Sequence, residues 1–185
     1  MSDRDSPKFE VEPLDASRHD RAAFACEEEP LTKYIKERAR HEVAKKVAAV
    51  YILTHDGKTI AGYYTLSQYS IDAAEIPEEL SKKLRFPKYK MLPATLLGRL
   101  ARDSKFKGQG LGELLLMSAL KLALDHSQNI ASSAVVVDAK NEKAARFYES
   151  FGFLSLPGHA GRLFLPMQTV DAIFFQTDHP GKTDP

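Results

Sequence analysis

Residues Leu96–Leu116 read LLGRLARDSKFKGQGLGELLL, and this stretch decides the fold. An apolar, β-prone run (Ala94–Leu100) leads into a turn rich in Lys and Gly, which opens directly into an amphipathic helix from about Gly110 to Ser127. Gly108, Gly110 and Gly112 lack a Cβ, so the backbone there is free to take φ > 0 and to approach a ligand closely. The unpaired N–H groups at the start of the following helix point the same way and carry the positive end of its dipole. Strand, glycine turn and helix N-terminus together make a cradle for a pyrophosphate. A glycine-rich connection that holds no ligand is also common, and at this point both readings stand. Two nucleotide motifs are excluded. No Gly-Lys-Ser/Thr stands at the spacing of GxxxxGK[ST], and GxGxxG fails because the third residue after Gly110 is Glu113.

The 185 residues suffice for one domain with a substantial core, and a composition 43% hydrophobic and 28% charged is that of a globular protein. No apolar run approaches the ~20 residues that span a bilayer, and the N-terminus is polar and acidic, unlike a signal peptide. The single cysteine, Cys26, excludes an internal disulfide and a Cys-based zinc site. The six histidines show no ligand spacing, so no metal is expected. The cytoplasm is the expected compartment. The net charge of +1 hides a segregation: residues 31–110 hold 16 Lys and Arg against 8 Asp and Glu. A basic middle section suits a polyanion, whether cofactor or nucleic acid; a solvated mixed surface is the alternative.

Along the chain, residues 1–10 read as a polar arm and Leu14–Ala25 as a turn or short helix. Pro30 then opens a helix on which Leu31, Tyr34, Ile35 and Ala39 share the apolar face. Lys33, Lys36 and Arg40 form a basic stripe opposite, while Arg38 lies nearer the apolar side, where its stem can pack. Val47–Thr54 and Thr59–Ser67 are β-rich runs around an Asp56-Gly57 hairpin signal. Tyr63 and Tyr64 face opposite sides of the sheet, with core packing the plainer role. Ile76–Leu84 reads as a short helix. Lys88 and Lys90, interleaved with Phe86 and Tyr89, suit either a nucleic-acid contact or a surface turn. Ser132–Ala139 is a Val-rich strand buried on both faces, and Asn141 caps a helix that Gly152 stops. Arg162–Met167 closes the sheet. Residues 1–176 read as a single domain and 177–185 as a disordered tail.

The stretch Lys107-Gly108-Gln109-Gly110-Leu111-Gly112 resembles the [RQ]xxGx[GA] pyrophosphate loop of the GCN5-related N-acetyltransferases (GNAT), with Lys at its first position. Twenty-nine positions beyond Gly112, Asn141 begins N-x₅-FY-x₂-FGF, similar to the GNAT segment that carries Asn and an aromatic-Tyr pair. The order hairpin, strand, glycine loop, helix, strand, helix, strand is also that of the family. The resemblance implies an α/β (α+β) GNAT fold, a mixed central sheet with flanking helices and a splayed strand pair for acetyl-CoA. GYYTLS (Gly62–Ser67), LLGRLARD (Leu96–Asp103), VVDAKNEKAARFYESFGF (Val136–Phe153) and RLFLP (Arg162–Pro166) resemble more narrowly the GNAT toxins of bacterial type II toxin–antitoxin systems. Ala101-Arg102 stands where Ala-Val is commoner in that family.

By this resemblance, backbone groups of Leu100, Ala101 and Arg102 pair with the pantetheine arm. Lys107, Gly108, Gln109, Gly110, Leu111 and Gly112 hold the pyrophosphate, Asn141 contacts the cofactor, and Tyr148 protonates the CoA sulfur. Taken alone, Tyr148 reads more readily as a core aromatic of a helix, and its place in N-x₅-FY-x₂-FGF reverses that preference. The toxin family acetylates the α-amino group of aminoacyl-tRNA and blocks translation, often as a homodimer and with a ribbon-helix-helix antitoxin as partner. Lys33, Lys36, Arg38, Arg40, Lys88 and Lys90 are the candidate tRNA contacts. No carboxylate stands out as a catalytic base, which favours an α-amino acceptor (pKa ~8) over a lysine side chain (~10.4). The alternatives are a housekeeping GNAT acetylating a small amine or a protein N-terminus, and a silent CoA-binding module.

Overall fold

The computed structural model describes residues 8–178. Its strands are β1 (Glu10–Pro13), β2 (Ala49–Thr54), β3 (Gly62–Asp72), β4 (Met91–Arg102), β5 (Ala134–Asp138), β6 (Leu154–Ser155) and β7 (Arg162–Pro166). They form a seven-stranded sheet in the order β1-β2-β3-β4-β5-β7-β6. β4 and β5 run parallel, whereas β1/β2, β2/β3, β5/β7 and β6/β7 pair antiparallel, so the sheet is mixed. The helices are α1 (Glu29–Lys33), α2 (Ala39–Ala44), α3 (Glu78–Lys83), α4 (Leu111–Ser127), α5 (Glu142–Glu149) and α6 (Met167–Asp178). The described residues gather into two compact units, 8–67 with 98–119, and 68–97 with 120–178.

In the first unit, the expected apolar face of the first helix is buried: Leu31, Tyr34, Ile35 and Ala39 join Phe24, Val50, Ile52, Ile60, Tyr63 and Ala101 in one cluster. The helix is not continuous α. Between α1 and α2, residues Tyr34–Arg38 form a π turn, closed by the Ala39 N–H donating to the Tyr34 carbonyl five residues back. The packing expected for the Arg38 stem does not occur. Its side chain is 65% exposed and paired with Glu42.

The β2–β3 connection is longer than the two-residue hairpin the Asp-Gly pair suggests, because strand pairing ends at Leu53↔Gly62. The Asp56 carboxylate organises it, accepting from the Lys58 and Thr59 N–H groups and from the Thr54 and Thr59 hydroxyls. These bonds, led by Thr59, hold its pKa well below the usual carboxylate range. Tyr63 and Tyr64 do take opposite faces and both are core residues. Tyr63 meets Phe24 and Tyr34, while Tyr64 stacks on Tyr51 and bonds the Ser118 hydroxyl. Gly62 is required by close approach: a Cβ there would stand 2.6 Å from Leu115 Cδ1 and 2.9 Å from the Ala101 carbonyl oxygen.

In the second unit, β5 is buried on both faces, as its valines require; Ala134 to Val137 are at most 1% exposed. Ala134, Val136 and Phe164 pack with Ile71, Ile76, Leu92, Ala94 and Leu156. The β4–β5 register covers Thr95–Leu97, while β4 continues to Arg102. Two elements differ from expectation. Of the expected polar arm, residues 1–7 lie outside the described residues, and Glu10 starts β1. After Pro166 the chain turns into α6, whose Met167 and Val170 are buried at helical spacing. The expected tail begins inside α6 at Thr177, and its remainder, 179–185, lies outside the described residues.

Candidate active site

The β4 end and the glycine loop belong to the first unit, and a buried carboxylate joins them. Asp103 is 2% exposed. Its Oδ1 accepts the Lys105 N–H at 2.8 Å and its Oδ2 accepts the Ala25 N–H at 3.0 Å. Its own N–H donates to the Ala61 carbonyl and the Ser104 N–H to the Ala25 carbonyl. The strand end is thus tied to two other segments just before the 3₁₀ turn Ser104–Phe106. Sequence reasoning missed Asp103. The Asp-Ser-Lys-Phe order carries the capping signal for that turn, but the bond to Ala25 spans 78 positions and leaves no local trace.

Beyond the turn, Gly108 and Gly110 have φ of 81° and 72°, and a Cβ at either would meet nothing within 4 Å. The backbone of this loop is therefore open on the side that a side chain would occupy. Gly112 differs: it lies in the first turn of α4 without a positive φ. Leu111, the first α4 residue, is buried, anchoring the helix start. The first N–H groups of a helix have no carbonyl within it to bond, and α4 is 17 residues long. This set fits a pyrophosphate: open glycine backbone, helix N-terminus and a cation. The cation is Lys107, whose Nζ pairs with Glu27 Oε1 at 2.8 Å on the surface. Of the residues expected along pantetheine, Ala101 is buried, and Leu100 and Arg102 are half-buried. Lys33, Lys36, Arg38 and Arg40 belong to this unit and are all exposed.

Asn141, Tyr148, Lys88 and Lys90 belong to the second unit. Asn141 Oδ1 accepts the Ala144 N–H at 2.8 Å, capping α5 as expected. About two turns on, the Tyr148 ring packs against Phe147 and Phe153. Its hydroxyl makes no hydrogen bond among the described residues and is not sealed from solvent. Burial of the ring pushes its pKa up to about 12. The strand leading to α5 is held by a fork: Arg162 Nε and Nη2 bond both oxygens of Asp138, and Nη1 bonds the Tyr69 hydroxyl at 2.7 Å. Lys88 and Lys90 are exposed on either side of Tyr89, itself 67% exposed. No group of three or more potential metal ligands occurs among the described residues.

The sheet order, glycine loop and Tyr-bearing helix define an acetyltransferase architecture, and residues 14–153 match the acetyltransferase (GNAT) family. The chain belongs to that family. It is 30% identical over 181 residues, 94% of this chain and 99% of the relative, to a probable toxin TacT of Sinorhizobium fredii (strain NBRC 101917 / NGR234). Its fold is similar to that of AtaT complexed with acetyl-methionyl-tRNAfMet, with a TM-score of 0.82, 32% identity and coverage of 90% of this chain and 99% of that one. A tyrosine-to-phenylalanine mutant of AtaT, bound to acetyl-CoA and the C-terminus of the antitoxin AtaR, matches with a TM-score of 0.77 and 29% identity, covering 91% and 99%.

Proposed function

We propose that this acetyltransferase uses acetyl-CoA to acetylate the α-amino group of aminoacyl-tRNA, and so acts as a translation-blocking toxin. The observation that carries this reading is the likeness over almost the full length of both chains to AtaT with its acetylated tRNA product. The surplus of Lys and Arg over residues 31–110 agrees with a polyanionic acceptor. A ribbon-helix-helix antitoxin is the expected partner, a homodimer the expected assembly and the cytoplasm the expected compartment. Residues 1–176 act in this reading as one catalytic domain.

Acetyl-CoA supplies the activated acetyl thioester. Lys107 to Gly112 hold its pyrophosphate through backbone N–H groups and the Lys107 cation, and Leu100 to Arg102 align the pantetheine arm through main-chain bonds. The acceptor enters as a free amine. At pKa ~8 an α-amine is partly neutral at physiological pH, so no strong base is needed. Tyr148 holds the proton required by the departing sulfur. With a pKa near 12 against ~8.5 for a thiol, Tyr148 stays protonated at working pH; passing its proton to sulfur alone is uphill by about 5 kcal/mol, and the step balances when the proton shed by the attacking nitrogen returns to the phenolate as the C–S bond breaks. Asn141, one lone pair of its Oδ1 taken by the cap, still has its NH₂ and the second lone pair to offer a ligand.

Incubation with acetyl-CoA and total charged tRNA should yield N-acetyl-aminoacyl-tRNA. Absence of product from every isoacceptor, alongside turnover of small amines, would replace this reading with a housekeeping acetyltransferase.

A further inference from the structure

β4 carries a cation whose surroundings neither the core nor the donor loop explains. Arg99 stands one residue before Leu100–Arg102 and, by the two-residue period of a strand, shares a face with Ala101. Ala101 packs in the cluster that contains Tyr34 and Ile35. Arg99 therefore points to the face that the α1–α2 helix covers, away from the strand edge where main-chain groups pair. Its guanidinium carbon lies 3.7 Å above the centre of the Tyr34 ring. Its Nη1 is 3.8 Å from Glu42 Oε2, close enough to orient charge but too far to hydrogen-bond.

That carboxylate is already engaged. The Tyr34 hydroxyl donates to its Oε2 at 2.9 Å and Arg38 Nη2 to its Oε1 at 3.3 Å. Arg99 consequently makes no side-chain hydrogen bond among the described residues, although its side chain is only 28% exposed. Its charge is balanced by Glu42 and its flat face is taken by Tyr34, while none of its N–H donors is sealed from solvent, so the fork is oriented by the protein and open to an outside acceptor. The platform beneath it is rigid: Tyr34 is 2% exposed, sits in the π turn and stacks on Tyr63. Burial, then the hydrogen bond to Glu42, raises the Tyr34 pKa far above its usual value.

On the acceptor reading given above, the geometry points to Arg99 as the group that binds a phosphodiester oxygen at the 3′ end of the aminoacyl-tRNA. An aminoacyl ester has lost its carboxylate to the ester bond, so the anion nearest its α-amine is a phosphate of the terminal nucleotides. A guanidinium held flat on an aromatic face presents a planar fork suited to that group. Glu42, fixed by Tyr34 and Arg38, is the positioning residue that sets the fork's direction.

The test is a binding measurement, read without turnover, so its failure is distinct from failure to find an acetylated product. The probe is a single-stranded CCA-ended RNA oligonucleotide, compared with the same oligonucleotide carrying an uncharged methylphosphonate at its last linkage. Wild-type protein should bind the charged probe about tenfold more tightly, the scale of one charge-assisted hydrogen-bonded contact. Arg99→Gln should remove that preference, Arg99→Lys should restore part of it, and acetyl-CoA affinity should stay unchanged. The slope of log K against log salt should become shallower by about 0.7 in Arg99→Gln. Equal binding of the two probes by wild-type protein would overturn the assignment whatever the variants do. A preference surviving in folded Arg99→Gln would overturn it too, as would a loss confined to acetyl-CoA.

Discussion

Asp103→Ala gives the sharpest test of how the donor loop is held. The substitution deletes two acceptor oxygens, at 2.8 and 3.0 Å from the Lys105 and Ala25 N–H groups, at a site only 2% exposed. Hydrogen bonds to a charged group contribute about 1.5–3 kcal/mol each. Neither N–H gains a ready replacement at a buried site, so the loss should be about 3–5 kcal/mol. In a chain of this length that corresponds to a fall in Tm of roughly 10 °C. Asp103→Asn separates charge from geometry. It keeps one acceptor oxygen but sets an NH₂ against the other N–H, and should cost about 2–3 kcal/mol. Urea unfolding of the three proteins measures the ledger directly. Isothermal titration with acetyl-CoA, well below the lowered Tm, then reads the loop, and affinity should fall in both variants. Loss of less than ~0.5 kcal/mol in Asp103→Ala, the level of an ordinary surface change, would refute the reasoning. Full stability with weakened binding would refute it as well, because the bond to Ala25 would then not be structural.

Tyr148→Phe keeps the ring packing against Phe147 and Phe153 and removes only the hydroxyl. Its kcat should fall about 10²–10⁴-fold, with acetyl-CoA affinity and Tm nearly unchanged; an unaltered kcat would end its role as proton donor. The pKa values of Tyr64 and Tyr148 are raised by burial to about 12, and that of Tyr51 is raised as well. The unfolded chain therefore releases these protons first, near pH ~10. Their contribution to stability is full below pH ~10 and is lost as pH rises towards 12, which denaturation at stepped pH would follow. Gly62→Ala should destabilise by about 1–3 kcal/mol, the usual cost of overpacking, since its Cβ would abut Leu115 and the Ala101 carbonyl oxygen; wild-type behaviour in urea would contradict that geometry. Charge reversal at Lys33, Lys36 and Arg40, all exposed, should weaken tRNA binding in a salt-dependent manner while sparing acetyl-CoA affinity. A filter-binding salt series checks both halves.

The sequence alone determined whatever is written in short-range order. Residues 108 and 110 announce their left-handed backbone because glycine carries no Cβ penalty there, and both take it. Asn141 announces a cap, the spacing of Leu31, Tyr34, Ile35 and Ala39 a buried face, and the valines of β5 a strand covered on both sides; each stands as its chemistry requires. The role proposed for Tyr148 rests on its setting in N-x₅-FY-x₂-FGF, since an aromatic on a helix is otherwise a core residue. Tertiary structure alone decided the rest. Arg99, an unremarked basic residue in an apolar strand, acquires meaning because Tyr34, 65 positions earlier, is brought beneath its guanidinium. Glu42 becomes a positioning group because Tyr34 and Arg38, in a π turn that no propensity scale encodes, bond both of its oxygens. Asp103 fastens the loop because Ala25 arrives beside it. Local chemistry depends on neighbours a few positions away and can be read from a string. A side chain's hydrogen-bond and ring partners depend on which distant segments the folded core places against it, and that is settled only by packing.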